Sequence, residues 1–323
     1  MRDEPLTVLA DIGGTNARFA LYARGRGLAP VTVLSTRDYE SACAAFGAYL
    51  DAQGRPAIRA AAVCAAGPHL GDAIAMTNCP WTVSKAEIAA GTGTGRIMLC
   101  NDFEAIAASL PHLKGDDVTP IGSGLPDKEA PKAVLGPGTG LGMAAVISVA
   151  GRWHALASEG GHADLAPSNA RELAILAHLL PRLGHVSAER LLSGPGLALL
   201  WRTLGELDGA QSAEALSPSE IAARARKGGD PRAREAVALF TGWLGAVAGD
   251  LALTLNARGG IYLAGGIIPE WGDQFDGALF RRRFEAKGRF AAIMARIPVW
   301  RIDLKYVALW GLAHLSSATG EAP

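Results

Sequence analysis

"VLADIGGTNARFAL", residues 8–21, decides how the chain is read. Two apolar runs flank a turn of Gly13, Gly14, Thr15 and Asn16, and one acid, Asp11, closes the first run. A single hairpin of this kind needs its glycines only to turn tightly. The pattern returns, however, at Val134-Leu135-Gly136-Pro137-Gly138-Thr139-Gly140-Leu141-Gly142-Met143-Ala144-Ala145-Val146. Successive glycines let main-chain N–H groups point one way and let a ligand approach the backbone, and Thr15 and Thr139 add hydroxyl donors. Such turns suit a phosphate. Neither is a Walker loop and neither follows G-x-G-x-x-G in register. The expectation is a phosphate clamp of two opposed hairpins, one per domain, with Asp11 placed to hold Mg²⁺ directly or through water.

Short aliphatic runs recur between helical periods, as in Ala60–Ala65, Ile97–Cys100, Val134–Leu135, Met143–Val149 and Ile261–Ala264, which indicates an α/β chain. Ser217-Pro218-Ser219-Glu220 supplies an N-cap, a proline at the first helical position and a returning carboxylate, and Gly228-Gly229 stops that helix. Further helices are expected over Ala170–Leu180 and from Arg232 to about Leu255. If each glycine hairpin heads its own domain, the polar stretch from Pro111 to Pro131 is the connector.

At 323 residues and 49% hydrophobic composition the chain can fill two cores, and its 31 basic and 31 acidic side chains leave no field that would gather nucleic acid. Cys43, Cys64, Cys79 and Cys100 have neither zinc-knuckle nor disulfide-framework spacing, which suits a reducing cytoplasm. Residues 133–151 are uncharged, but five glycines and Pro137 argue against a membrane span, and the N-terminus lacks the apolar core of a signal peptide.

"IMLCNDFEAIAASL" runs from a strand through Asn101-Asp102 into a helix. An Asx there is ordinarily a cap. At the carboxyl end of a strand in an open α/β sheet, however, a carboxylate is also placed to take a proton from a hydroxyl nucleophile. "SEGGHADLAP" carries Glu159 and His162, whose spacing could suggest a metal pair, but only one copy exists and the glycines would spoil its helix. Glu189 follows a cap, Ser187, where complementing the helix dipole is its ordinary role.

Together, "DIGGTNARFALY", "AMTNCPW", "LCNDFEAIA", "GPGTGLG", "EGGHADLAP", "GHVSAERLLSGPGL" and "YLAGGIIP" resemble, in order and over nearly the whole chain, the bacterial glucokinases of the hexokinase and actin-like ATPase superfamily. Ala163–Pro167 stands where relatives with a zinc motif carry cysteines, so the resemblance is to the group without structural zinc. It implies an α/β two-domain actin-like ATPase (ribonuclease H-like) fold with a cleft between a small domain, 1–111 plus 302–323, and a large one, 112–301. It also implies ATP-dependent phosphorylation of glucose at the 6-hydroxyl, with domain closure on the sugar and a cytoplasmic homodimer.

By the same resemblance Asp102 is the base, while Asn101, Glu159, His162, Glu189 and Asn78 contact the sugar. Asp11, Gly13, Gly14, Thr15 and Asn16 form the first phosphate segment and Gly138, Thr139 and Gly140 the second; Gly265 and Gly266 admit the adenosine. Ala157-Ser158 and the C-terminal "DLKYVALWGLAHL" depart from the usual pattern without removing any of these residues. The competing readings are a kinase for another hexose or amino sugar, a sugar-responsive binding protein without catalysis, and an ATPase indifferent to sugar. A strand beginning near Leu6 leaves no room for a DNA-binding helix-turn-helix before it.

Overall fold

The opening hairpin forms where the apolar runs place it. Strands Leu6–Ile12 and Asn16–Ala23 pair antiparallel, with Ile12 opposite Ala17 and Asp11 opposite Arg18. The computed structural model describes residues 6–67, 69–76, 79–210 and 215–318. The chain divides into two units, Met1–Leu113 with Leu304–Pro323, and Lys114–Asp303.

In the first unit the sheet runs Gly27–Leu28, Asn16–Ala23, Leu6–Ile12, Ile58–Ala65, Ile97–Asn101, with Thr32–Ser35 also pairing Asn16–Ala23. The last three strands are parallel, so Ile12, Ala65 and Asn101 line up at their carboxyl ends. Val8, Ala10 and Ile12 enter a core with Phe19, Phe46, Tyr49, Val63 and Ile88. Leu9, pointing to the opposite face by the alternation of a strand, is equally buried, so both faces are covered. Phe19 packs edge-on against Phe46 and stacks on Tyr49, with centroids 5.0 and 5.1 Å away.

The second unit repeats that plan. Strands Lys132–Pro137 and Leu141–Val149 pair antiparallel, Gly260–Leu263 runs parallel to the first of them, and Val299–Ile302 runs parallel to Gly260–Leu263. Val118–Pro120 and Arg152–Ser158 complete the two edges. The uncharged run from residue 133 is therefore this hairpin. The 25-residue helix Pro231–Leu255 is apolar and long enough to span a bilayer, but 61% of its most apolar window is buried inside the protein. Phe240, Trp243, Leu244, Ala248 and Ala252 make it the core helix of this unit.

Local signals set several boundaries. Ser217 and Glu220 form a reciprocal capping box, and Gly228 ends the helix Pro218–Lys227 at φ +75°. The helix expected over Ala170–Leu180 extends to Leu183 through Pro181, ending at Gly184. Leu179 is buried in the core and Leu183 packs against it, contacts that offset the backbone bond lost at the proline.

Candidate active site

In the first unit the turn after Ile12 is closed by a bond from Gly13 N–H to Asn16 O at 2.9 Å. Buried Thr36 braces it from a neighbouring segment: its hydroxyl donates to Gly14 O at 2.8 Å and its N–H to Thr15 O at 3.0 Å. Thr15 stands exposed at the tip and Asn16 begins the second strand. Asp11 is held by Arg18 Nη1 at 3.2 Å and by the Cys64 thiol at 3.8 Å. Burial pushes the Asp11 carboxyl above its usual value, against the opposing pull of Arg18. Burial also raises Cys64 well above an ordinary thiol, helped by the carboxylates of Asp11 and Asp102, so it keeps the proton it donates.

Asn101 and Asp102 lie at the carboxyl end of the strand next but one to Asp11. Asn101 is the N-cap: its Oδ1 accepts from Phe103 N–H at 2.8 Å. Asp102 is the first residue of the helix Asp102–Ser109, and its Oδ1 shares that same N–H at 3.0 Å. The capping expected of an Asx at this junction is thus supplied by Asn101. Asn101 Nδ2 donates to Gly67 O at 3.3 Å, which leaves one of its two amide hydrogens for a further acceptor. Asn78 lies outside the described residues.

In the second unit Thr139 is the exposed tip of the turn, closed by Gly138 N–H to Gly140 O at 2.8 Å. Gly138 O in turn accepts from Gly194 N–H at 2.8 Å. Glu159, His162 and Glu189 come together: His162 Nε2 is 4.0 Å from Glu159 Oε2 and His162 Nδ1 is 3.9 Å from Glu189 Oε1. The Glu159 and His162 side chains are 67% and 60% exposed, that of Glu189 only 32%. Gly160–His162 is a single 3₁₀ turn, and Ser187 caps the short helix Ala188–Leu191 that carries Glu189. Glu189 Oε2 also accepts from Leu141 N–H at 2.8 Å.

The glycines divide by what surrounds them. Gly138 and Gly266 have open space where a Cβ would point. Gly265, at φ +85°, would drive a Cβ to 2.4 Å from Pro137 O, so its side-chain-free backbone serves the protein's own packing. Gly140 would place one 2.4 Å from Glu189 Oε2.

A family model for glucokinase matches residues 8–319. A glucokinase of Chromobacterium violaceum is 46% identical over 321 residues, covering 98% of this chain and 92% of that protein. The chain belongs to the glucokinase family. The crystal structure of a glucokinase from an Antarctic psychrotroph superposes with a TM-score of 0.86 at 31% identity, covering 97% of this chain and 99% of that one. A glucokinase of Streptomyces griseus, solved with glucose and AMPPNP, shares the fold at a TM-score of 0.64 and 21% identity, over 96% of this chain and 98% of that one. The fold is the α/β fold of the actin-like ATPases.

Arg18, Thr36, Cys64 and Leu141 are the site neighbours that the motifs did not single out. Arg18 was within reach, since counting outward from the turn sets it opposite Asp11. Thr36 arrives from a 3₁₀ turn and Cys64 from another strand, where no local pattern marks them.

Proposed function

We propose that the chain transfers the terminal phosphoryl group of ATP to the 6-hydroxyl of glucose. The observation that carries this reading is the 46% identity with a glucokinase over 98% of the chain. The geometry of each unit supports it. Asp102, at a strand's carboxyl end where Asn101 makes the shorter capping bond, would take the proton of the attacking hydroxyl. Asn101 would offer its second amide hydrogen to a neighbouring sugar oxygen.

Glu159, His162 and Glu189 would receive the other hydroxyls. Carboxylates accept such donors with charge-assisted strength, and an imidazole between them can donate or accept. Phosphoryl transfer asks mainly for position and charge neutralisation, which the Gly13–Asn16 and Gly138–Gly140 turns would provide through main-chain N–H groups. Gly266, open on its side-chain face, would admit the nucleoside, and Gly265 would hold the adjoining turn.

Mg²⁺ suits Asp11 as a single hard carboxylate acting through water, since its oxygens are already in contact with Arg18 and Cys64. Among the described residues no group of three or more His, Cys, Asp or Glu is arranged to hold a metal, so nucleotide phosphates would supply the remaining ligands. Bound there, the ion neutralises phosphate charge. Cytoplasmic residence accords with the four free cysteines, and a homodimer is the assembly that the family resemblance suggests.

ADP release measured with and without glucose, at one fixed Mg²⁺ concentration, tests the reading. Release that requires glucose is the expected result; release indifferent to it overturns the proposal. A panel of hexoses and amino sugars in the same assay sets the substrate range.

A further inference from the structure

Leu141 follows directly on the second glycine turn, with its N–H bonded and its carbonyl oxygen closely packed. Its N–H donates to Glu189 Oε2 at 2.8 Å. Its carbonyl oxygen lies so near Gly161 that a Cβ there would sit 2.1 Å away. Gly161 belongs to the 3₁₀ turn that carries His162, and His162 in turn faces Glu189 Oε1. One carboxylate therefore touches the glycine turn with one oxygen and the Glu159–His162 cluster with the other. Gly140 makes the approach possible, because a Cβ at that position would fall 2.4 Å from Glu189 Oε2. Gly140 is not among the glycines with positive φ, so the requirement is for space rather than for backbone conformation.

We propose that Glu189 links the two substrates: it is a positioning residue for the Gly138–Gly140 turn, and sugar hydroxyls bound at its Oε1 tighten nucleotide binding through Oε2 and Leu141. The inference rests on the roles given above to the cluster and the turn. Its physical basis is ordering. The carboxylate is one-third exposed, and among the described residues its Oε1 side meets just the loose contact to His162. Hydroxyl donors that fix this side chain also fix the acceptor for Leu141 N–H, so the turn meets the nucleotide with less freedom left to lose. The coupling is reciprocal, and nucleotide must tighten sugar by the same factor.

The test is calorimetric titration of the full chain with ADP in the presence of Mg²⁺, with and without saturating glucose, alongside glucose titration alone. In the wild type, glucose is expected to lower the ADP Kd by a factor within the usual span of about 5–150. Gly140→Ala displaces the Glu189 carboxylate from Leu141 while leaving it available to sugar. Glucose should still bind this variant, but the tightening of ADP should vanish. Glu189→Ala should abolish it too, and Glu189→Gln, which keeps an acceptor, should retain part of it. Gly140→Ala introduced into Glu189→Ala should then change nothing further.

If Gly140→Ala weakens ADP equally in both backgrounds, it acts by crowding the phosphates and the proposal fails. It fails equally if the wild type phosphorylates glucose yet binds ADP with the same Kd with and without the sugar, a result that leaves the glucokinase reading intact. ADP release that ignores glucose overturns the reading itself, and the inference with it.

Discussion

Asp102 follows a residue that already caps the helix, and this order makes its chemistry testable. Asn101 accepts from Phe103 N–H at 2.8 Å, so Asp102→Asn leaves the helix start satisfied. We expect kcat to fall by about 10²–10⁴, the usual contribution of a positioned general base, with glucose affinity nearly unchanged. Steady-state kinetics paired with direct glucose titration checks both halves, and near-normal turnover would remove Asp102 from the role. The residues at this scale that the sequence marks are those carried by short spacings: Asp11 beside its turn, Asn101-Asp102 at a strand end, Glu189 after Ser187. Those that brace them are not marked. Thr36 reaches Gly14 O and Cys64 reaches Asp11 across the sheet, and such distant pairings leave no local period to read.

Elements capped by their own side chains are legible in the sequence, as Ser217, Glu220 and Gly228 illustrate. Elements shaped by tertiary contact are less so. Pro181 reads as a stop, yet the helix continues to Leu183 because that turn packs on the core. A close helix crossing in the first unit was likewise hidden. Helix Val307–Ala318 meets Asp102–Ser109 at Gly311, where a Cβ would stand 1.7 Å from Ala105 O. Gly311→Ala must push these helices apart, and overpacking of this kind costs about 1–3 kcal/mol. Calorimetry should show a lower Tm. Because the displaced helix carries Asp102, activity per folded molecule should fall as well, which a merely destabilised but undistorted enzyme would not show.

At the scale of the whole molecule, a pair of rings within the first unit contributes to the acid dependence of stability. His112 and His314 stack with centroids 3.6 Å apart. Burial lowers both, and His314, with His112 beside it, falls to about 4. The native pair thus stays neutral where the unfolded chain, titrating near the ordinary value of about 6.5, already binds protons. Stability is retained above that ordinary value and is lost as pH falls from it toward 4. Urea midpoints at pH 7.5 and pH 5 should show this decline, and replacing both histidines with Gln should flatten it; an unchanged slope would discount the stack. The repeated glycine hairpin is the sequence feature that suggests a two-unit plan. The joining of residues from 304 onward to the first unit was not a matter of periodicity, since it rests on helix Val307–Ala318 packing against Asp102–Ser109 and the sheet.

That return of the chain bears on how the protein is made. Residues 114–303 form one uninterrupted stretch and leave the ribosome with everything their core needs. The other unit must wait for helix Val307–Ala318, and until it arrives the helix bearing Asp102 lacks the partner that packs on Ala105 O. The unit whose chain comes first is thus completed only after residues 114–303 have been made, and the proposed base acquires its fixed support only once residues 307–318 follow.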